Sequence, residues 1–280
     1  MTPNNRKTAG ALLALVVLGA CASRIGVEEE EQLGDSFAAE ITREVALIRD
    51  PAAVAALNRI GTELVQQADS SGRRYDFYLV DSPEVNAFAI PGGHIYVNRG
   101  LIEHADDLSE LAGVLGHEIA HVTERHGLEQ LEKQQGANLL LTLVYTLLGR
   151  EPGVLEQVAI QGGGAAIFAK YGRDAEREAD LRAVEILVAA GYDPEGIATF
   201  FETLLRGQRS QPGLFDQWFA SHPASEERVV NTRAVIRSLG PLDGDRLVRD
   251  TPEYQRFRAR VRTLGGSGDQ ALRSPPGPRG

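Results

Sequence analysis

The chain has 280 residues, 42% of them apolar and 24% charged, with 29 basic against 39 acidic side chains and a formal net charge of −10 at pH 7. That length supports one good-sized core, and the acidic balance argues against a nucleic-acid partner, because phosphate recognition needs a basic face. Cys21 is the only cysteine, which excludes an intrachain disulfide.

Arg6 and Lys7 precede an apolar run over 9–20, and no acidic residue occurs before Glu28. A basic start followed by an apolar run too short to span a bilayer is the pattern of an export signal. The run closes on Leu18-Gly19-Ala20-Cys21, which resembles a bacterial lipobox with Cys21 as the acylated residue. A plain secretory signal is the alternative. Ala22 and Ser23 follow, with no aspartate at the second mature position, which by resemblance favours the outer membrane. Residues 1–20 are therefore expected to be a lipoprotein signal peptide, and a lipid on Cys21 to attach the chain to a membrane, facing the periplasm. Residues 21–34, with four consecutive glutamates, read as an acidic linker or helix start.

Helices are expected over about 35–48 and 51–69, the second capped by Asp50 with Pro51 in its first position. Three β-prone runs follow at 75–80, 86–90 and 94–98, the last two separated by the turn Pro91-Gly92-Gly93. From Asp107 nearly to Leu239 the pattern is helical. The very apolar piece over 137–148 is too short to cross a bilayer and reads as a buried helix, or else as a membrane-surface or substrate-facing element. The glycines of 161–165 lack the lysine and hydroxyl of a phosphate loop and read as a joint. No internal repeat is visible. The Gly-, Ser- and Pro-rich tail from about 265 is expected to be disordered. The fold class is α+β, mainly helical with a small β-sheet, with the domain over 35–240 and a C-terminal extension over 241–280.

The chemistry concentrates in VLGHEIAHVTERHG, residues 114–127. On a helix His117 and His121 fall on one face a turn apart, close enough to hold one ion. Glu118 lies about 100° around from His117, where it reaches a water on the metal without entering the ligand shell. A chance match of this HExxH pattern is the bland alternative. On a continuous helix His126 points about 180° from His117 and cannot share the ion, so it is expected to be structural or to support a ligand. A catalytic metal needs a third protein ligand. In RDAEREADLRA (173–183), Glu176 and Asp180 share the apolar face of Ala183, Val184, Leu187 and Ala190, while Asp174 and Glu178 share a solvated face with Arg182 and Glu185. Buried carboxylates need partners. Glu176 is therefore expected to be the third ligand and Asp180 to orient a ligating histidine. The alternative is that these acids pair only with Arg173 or Arg177.

Four stretches, NAFAIPGGHIYVNRGLI (86–102), ELAGVLGHEIAHVTERHG (110–127), RDAEREADLRA (173–183) and SHPASEER (221–228), together resemble a zinc metallopeptidase family. It is the family of the CAAX prenyl endopeptidases, HtpX, the mitochondrial Oma-type protease and the periplasmic BepA-like enzymes. The resemblance implies a zincin-type domain with one Zn²⁺ held by His117, His121 and Glu176, and Glu118 as general base. It also implies that His222 and Arg228 approach the active site, to steady the oxyanion or, for His222, to take the fourth metal position at rest. Asn86, Ala87 and Phe88 resemble the family's substrate-binding edge, which pairs with an extended peptide. No spans for a membrane chamber and no helical-repeat domain are expected, so prenylated substrates are doubtful. The expected activity is endopeptidase action on unfolded or misassembled envelope proteins. A zinc-dependent chaperone or scaffold for outer-membrane protein assembly, and a plain metal-binding lipoprotein, are the alternatives. Another first-row metal could replace zinc.

Overall fold

The computed structural model describes residues 26–130, 133, 171–223 and 225–265. The signal segment, Cys21, the apolar stretch 137–148, the glycines of 161–165 and the tail from 266 lie outside the described residues. Among the described residues no helix is long and apolar enough to cross a membrane.

Helix α1 spans Val27–Glu44 and α2 spans Pro51–Ala68. The glutamate run thus opens a helix, and no linker extends to residue 34. Acidic side chains in the first turn suit the helix dipole. Glu30 is buried, with Arg125 at 2.8 Å and Arg73 at 3.5 Å as its cations. Asp50 caps α2 by accepting from the backbone of Ala53 at 2.9 Å.

The sheet has three strands, β1 (Asp76–Val80), β2 (Ala87–Ile90) and β3 (His94–Asn98), in the order β1-β3-β2. β1 runs parallel to β3, and β2 forms an antiparallel hairpin with it. Gly92 and Gly93 carry φ of 86° and 93° in the connecting turn, a region that favours glycine. The outer edge of β1 is occupied by residues 46–48: Leu47 bridges Val80, and Ile48 donates to the Leu79 carbonyl at 2.8 Å. β2 is the other edge. The side chains of Ala87, Ala89, Ile95 and Val97 face the main core. Tyr78, Tyr96 and Phe88 stack on the opposite face, with centroids 4.5 and 4.9 Å apart, beneath α1.

A short helix α3 (Arg99–His104) leads to α4 (Leu108–Thr123), whose N-terminus Asp107 caps through the Glu110 N–H at 3.0 Å. Every residue of α4 from Leu108 to Val122 is buried, so it is the central element. Its neighbours approach closely. A Cβ on Gly113 would lie 2.8 Å from Ile197, and one on Gly116 would lie 3.6 Å from Ala183. α5 (Arg173–Ala190) and α6 (Glu195–Ser210) pack on α4, and α7 (Pro212–Ser221) and α8 (Glu226–Ser238) pack on α6.

The core continues beyond residue 240. Helix α9 (Pro252–Leu264) buries Tyr254, Phe257 and Val261 in the main cluster, and Arg260 grips Asp50 through two bonds of 2.6 Å. The stretch expected as an extension therefore belongs to the packed body as far as residue 264. Its apolar residues are sparse, three buried in thirteen, and the charged ones between them hide the stripe from a reading by composition.

Candidate metal centre

α4 and α5 pack through small residues, which lets their polar side chains meet. Nε2 of His117 and Nε2 of His121 lie 3.1 Å apart. Glu176 enters from the first turns of α5, its Oε1 3.5 Å from His121 Nε2 and its Oε2 3.7 Å from His117 Nε2. His222 ends α7, where Pro223 halts the helix, and its Nδ1 lies 3.0 Å from Glu176 Oε1 and 3.4 Å from His117 Nε2. Trp218, fully buried, packs against the His222 ring at 4.9 Å. One ligand atom from each of His117, His121, Glu176 and His222 lies within 4.8 Å of every other, and all four residues are buried. Zinc bonds of about 2.0–2.1 Å set tetrahedral donors roughly 3.3 Å apart, and the measured separations scatter around that value. The donors fit a metal ion.

Glu118 lies beside this cluster and is fully buried. Neither of its carboxylate oxygens has a hydrogen-bond partner among the described residues, and Nε2 of His222 stands 3.5 Å from Oε1. Burial pushes its carboxyl up from the usual glutamate value, and the nearby His222 and His117 only partly offset this. A buried carboxylate without donors is costly unless something at the site satisfies it. The His222 ring and the backbone of Ala89 are among the groups that act on it.

The electrostatics of the ligands divide by type. Burial holds His121 neutral, well below the ordinary imidazole value, as a metal ligand requires. Burial acts against the charge of Glu176, but His222, His121 and His117 outweigh it and keep the group ionised. For His222 burial is likewise outweighed, by Glu176 and Glu118, so its ring is pushed up.

The supporting residues were partly foreseen. Asp180, one turn after Glu176, stands 3.0 Å from Nδ1 of His117, the place expected for an orienting carboxylate. Arg228 is buried and turned to this acid pair. It donates to Asp180 from Nε at 2.8 Å and Nη2 at 2.6 Å, and its Nη1 lies 2.7 Å from Glu176 Oε2. Its guanidinium also lies 4.2 Å over the Phe201 ring. Asp174 is exposed and pairs with Arg177 at 2.8 Å.

His126 is not on a continuous helix. α4 stops at Thr123, Arg125 takes φ of 60°, and helical backbone resumes at His126. The reversal brings Nδ1 of His126 to 2.9 Å from Nδ1 of His121, so the ring supports a ligand and is not turned away. Glu178, on the solvated side as its helical phase predicts, reaches Nε2 of His126 at 3.2 Å.

Tyr171 was missed by the sequence reading. Its ring stacks on His121 at 4.0 Å with an interplanar angle of 13°. It precedes the acidic helix by two residues, and only the meeting of α4 and α5 reveals its role.

Of the expected peptide-binding residues, Asn86 bonds weakly to Gln217 at 3.5 Å, Ala87 faces the core and Phe88 stacks on Tyr96. Asn98 donates to the Asn86 carbonyl at 3.0 Å, so by antiparallel alternation the backbone groups of Ala87 and Ala89 point away from β3. Ala89 and Ile90 line a small cleft together with His121 and Tyr171.

Residues 51–236 match the model of Peptidase family M48. The chain is 29% identical over 251 residues to the beta-barrel assembly-enhancing protease of Escherichia coli, covering 87% of this chain and 50% of that protein. It is 34% identical to the metalloprotease YcaL of Escherichia coli over 65% of this chain and 69% of that one. With the mitochondrial metalloendopeptidase OMA1 of Arabidopsis thaliana it shares 31% identity over 56% of this chain and 30% of that one. The chain spans about half the length of the first of these relatives. The histidine pair, the buried Glu118 and Glu176 of α5 thus sit within the matched span, and the chain belongs to Peptidase family M48, a family of metallopeptidases.

Proposed function

We propose that the chain is a zinc metalloendopeptidase of the bacterial cell envelope, acting on unfolded or misassembled envelope proteins. The observation that carries this reading is the convergence of four buried donors beside a buried glutamate whose oxygens have no hydrogen-bond partner among the described residues. Three imidazoles and a carboxylate form a donor set that suits zinc. Bound there, zinc would polarise the scissile carbonyl and make an adjacent water more acidic. Glu118 takes the proton of that attacking water and passes it to the leaving amine. Asp180 and His126 hold the outer ring nitrogens of His117 and His121. Nε2 of His222 lies next to Glu118, and Arg228 acts through its grip on Glu176 and Asp180. The outward backbone groups of Ala87 and Ala89 receive an extended peptide as an added strand, with Asn86 and Phe88 shaping the ends of that edge.

The envelope assignment is supported by the export-signal pattern at the N-terminus and by relatives named for β-barrel assembly and as a metalloprotease of Escherichia coli. We assign Cys21 as the lipid anchor to the outer membrane. A Cys21→Ser chain is expected in the soluble fraction, and its retention with the membranes would overturn that assignment. A chaperone or scaffold that rarely cleaves is the competing function, and it has no need of a buried base at Glu118.

The test is cleavage of unfolded casein by the purified chain. Chelation is expected to abolish cleavage and zinc to restore it, and Glu176→Ala to lower metal content together with activity. Cleavage that survives complete metal removal would refute the proposal. Because Nδ1 of His222 completes a four-donor set that would leave no open position, we read it as a resting-state cap. In the same assay His222→Ala is expected to cleave faster than wild type, whereas abolished cleavage would leave His222 the oxyanion role alone.

A further inference from the structure

From His121 the cluster continues outward in a way that ligand convergence alone does not require. Nδ1 of His121 and Nδ1 of His126 lie 2.9 Å apart, and Nε2 of His126 lies 3.2 Å from Oε2 of Glu178. Two ring nitrogens this close share one proton, so one ring donates and the other accepts. Only one arrangement serves all the atoms. If Nε2 of His121 presents its lone pair inward, its proton sits on Nδ1 and is donated to His126. His126 then accepts on Nδ1 and carries its own proton on Nε2, where the Glu178 carboxylate accepts it. The opposite tautomer of His126 would force the His121 proton onto Nε2, into the ligand cluster, and would set a bare lone pair against Glu178.

We infer that His126 and Glu178 are positioning residues that set the tautomer and ring orientation of His121, so that its Nε2 is available as a ligand; this rests on the metal-centre reading above. Tyr171 stacked on the His121 ring restrains its tilt, and the bond to His126 restrains its rotation. His126 itself is only 4% exposed, so its unmet Nδ1–H or lone pair could not turn to water instead. The two ligand histidines are thus held differently. His117 meets a buried carboxylate directly, whereas His121 meets a second imidazole that is anchored by a carboxylate 55% exposed. Glu178 acts at a distance from the ligand cluster, which is why its position on the solvated face hides its role.

The test is zinc release from the full chain into a chromogenic chelator, together with the unfolding midpoint of the metal-free form. Partners of ligating histidines are worth about 10–100-fold in metal affinity. His126→Phe, which removes the acceptor, is expected to speed release by about that factor, and His126→Asn, which returns an acceptor near the same place, to recover most of it. Glu178→Ala, at a half-exposed site that disturbs no packing, is expected to speed release by a smaller factor. Metal-free unfolding midpoints should stay with the wild type. Release from both His126→Phe and Glu178→Ala within about twofold of wild type would overturn the inference while leaving the metal centre intact. Faster release that follows a loss of metal-free stability and is not recovered by His126→Asn would overturn it too. A wild-type chain that retains no zinc would overturn the metal-centre reading itself.

Discussion

Glu118→Gln is expected to lower kcat/KM for unfolded casein by on the order of 10²–10⁴-fold, the usual contribution of a positioned general base, while zinc content stays at the wild-type level. The amide has the volume of the carboxylate, so the packing around a fully buried residue is kept. It cannot take a proton from water. The two carboxylate oxygens have no hydrogen-bond partner among the described residues, and burial already pushes the group up toward its neutral form. Removing the charge should therefore not lower the unfolding midpoint of the metal-free chain, since the variant gives up a functional group that is costly to bury. Two outcomes would count against the role. Cleavage at the wild-type rate would show that the base lies elsewhere, and lost zinc would show that Glu118 is needed to build the site.

Arg228→Met is expected to destabilise the metal-free chain by about 3–5 kcal/mol, the cost of leaving buried charges without their partner. Arg228 is the only arginine or lysine that pairs with Asp180 among the described residues, where His117 stands at 3.0 Å, and it also pairs with Glu176. Methionine keeps the apolar contact with Phe201 but abandons both carboxylates. A metal ion would itself compensate Glu176, so the loss measured by chemical denaturation should be smaller with zinc than with chelator. Arg228→Lys, which keeps the charge but not the forked geometry, should fall in between. A midpoint unchanged in chelator would show that the pair contributes nothing to the fold. Equal losses with and without zinc would show that Glu176 is not where the metal acts.

Helical phase was a sufficient guide where a helix stayed regular. It separated Glu176 and Asp180 from Asp174 and Glu178 on α5, and the structure buries the first pair and exposes the second. The HExxH spacing worked for the same reason, since both histidines lie within the unbroken part of α4. At His126 phase excluded the residue from the cluster but misjudged its direction, because a single positive φ at Arg125 redirects the chain and no residue type there announces it. Composition says little about how either end of the packed body is held. The glutamates before residue 34 look solvated, yet Glu30 is buried through Arg73 and Arg125, which lie far along the chain. The charged stretch after 250 looks like an extension, yet α9 tucks three apolar side chains into the core.

What the sequence by itself determined is therefore local: two histidines and a glutamate on one helix, an acid face on another, a glycine hairpin and a cap at Asp50. Periodicity and turn chemistry act within a few residues, so they can be read without the fold. Only the tertiary structure decided the long-range partners. It placed His222 as a fourth donor, turned Arg228 to Glu176 and Asp180, laid Tyr171 on His121, and linked His121 through His126 to Glu178. These contacts depend on the small residues that let α4 approach α5 and on the proline that halts α7, and side chains brought together by packing leave no fixed spacing in the chain.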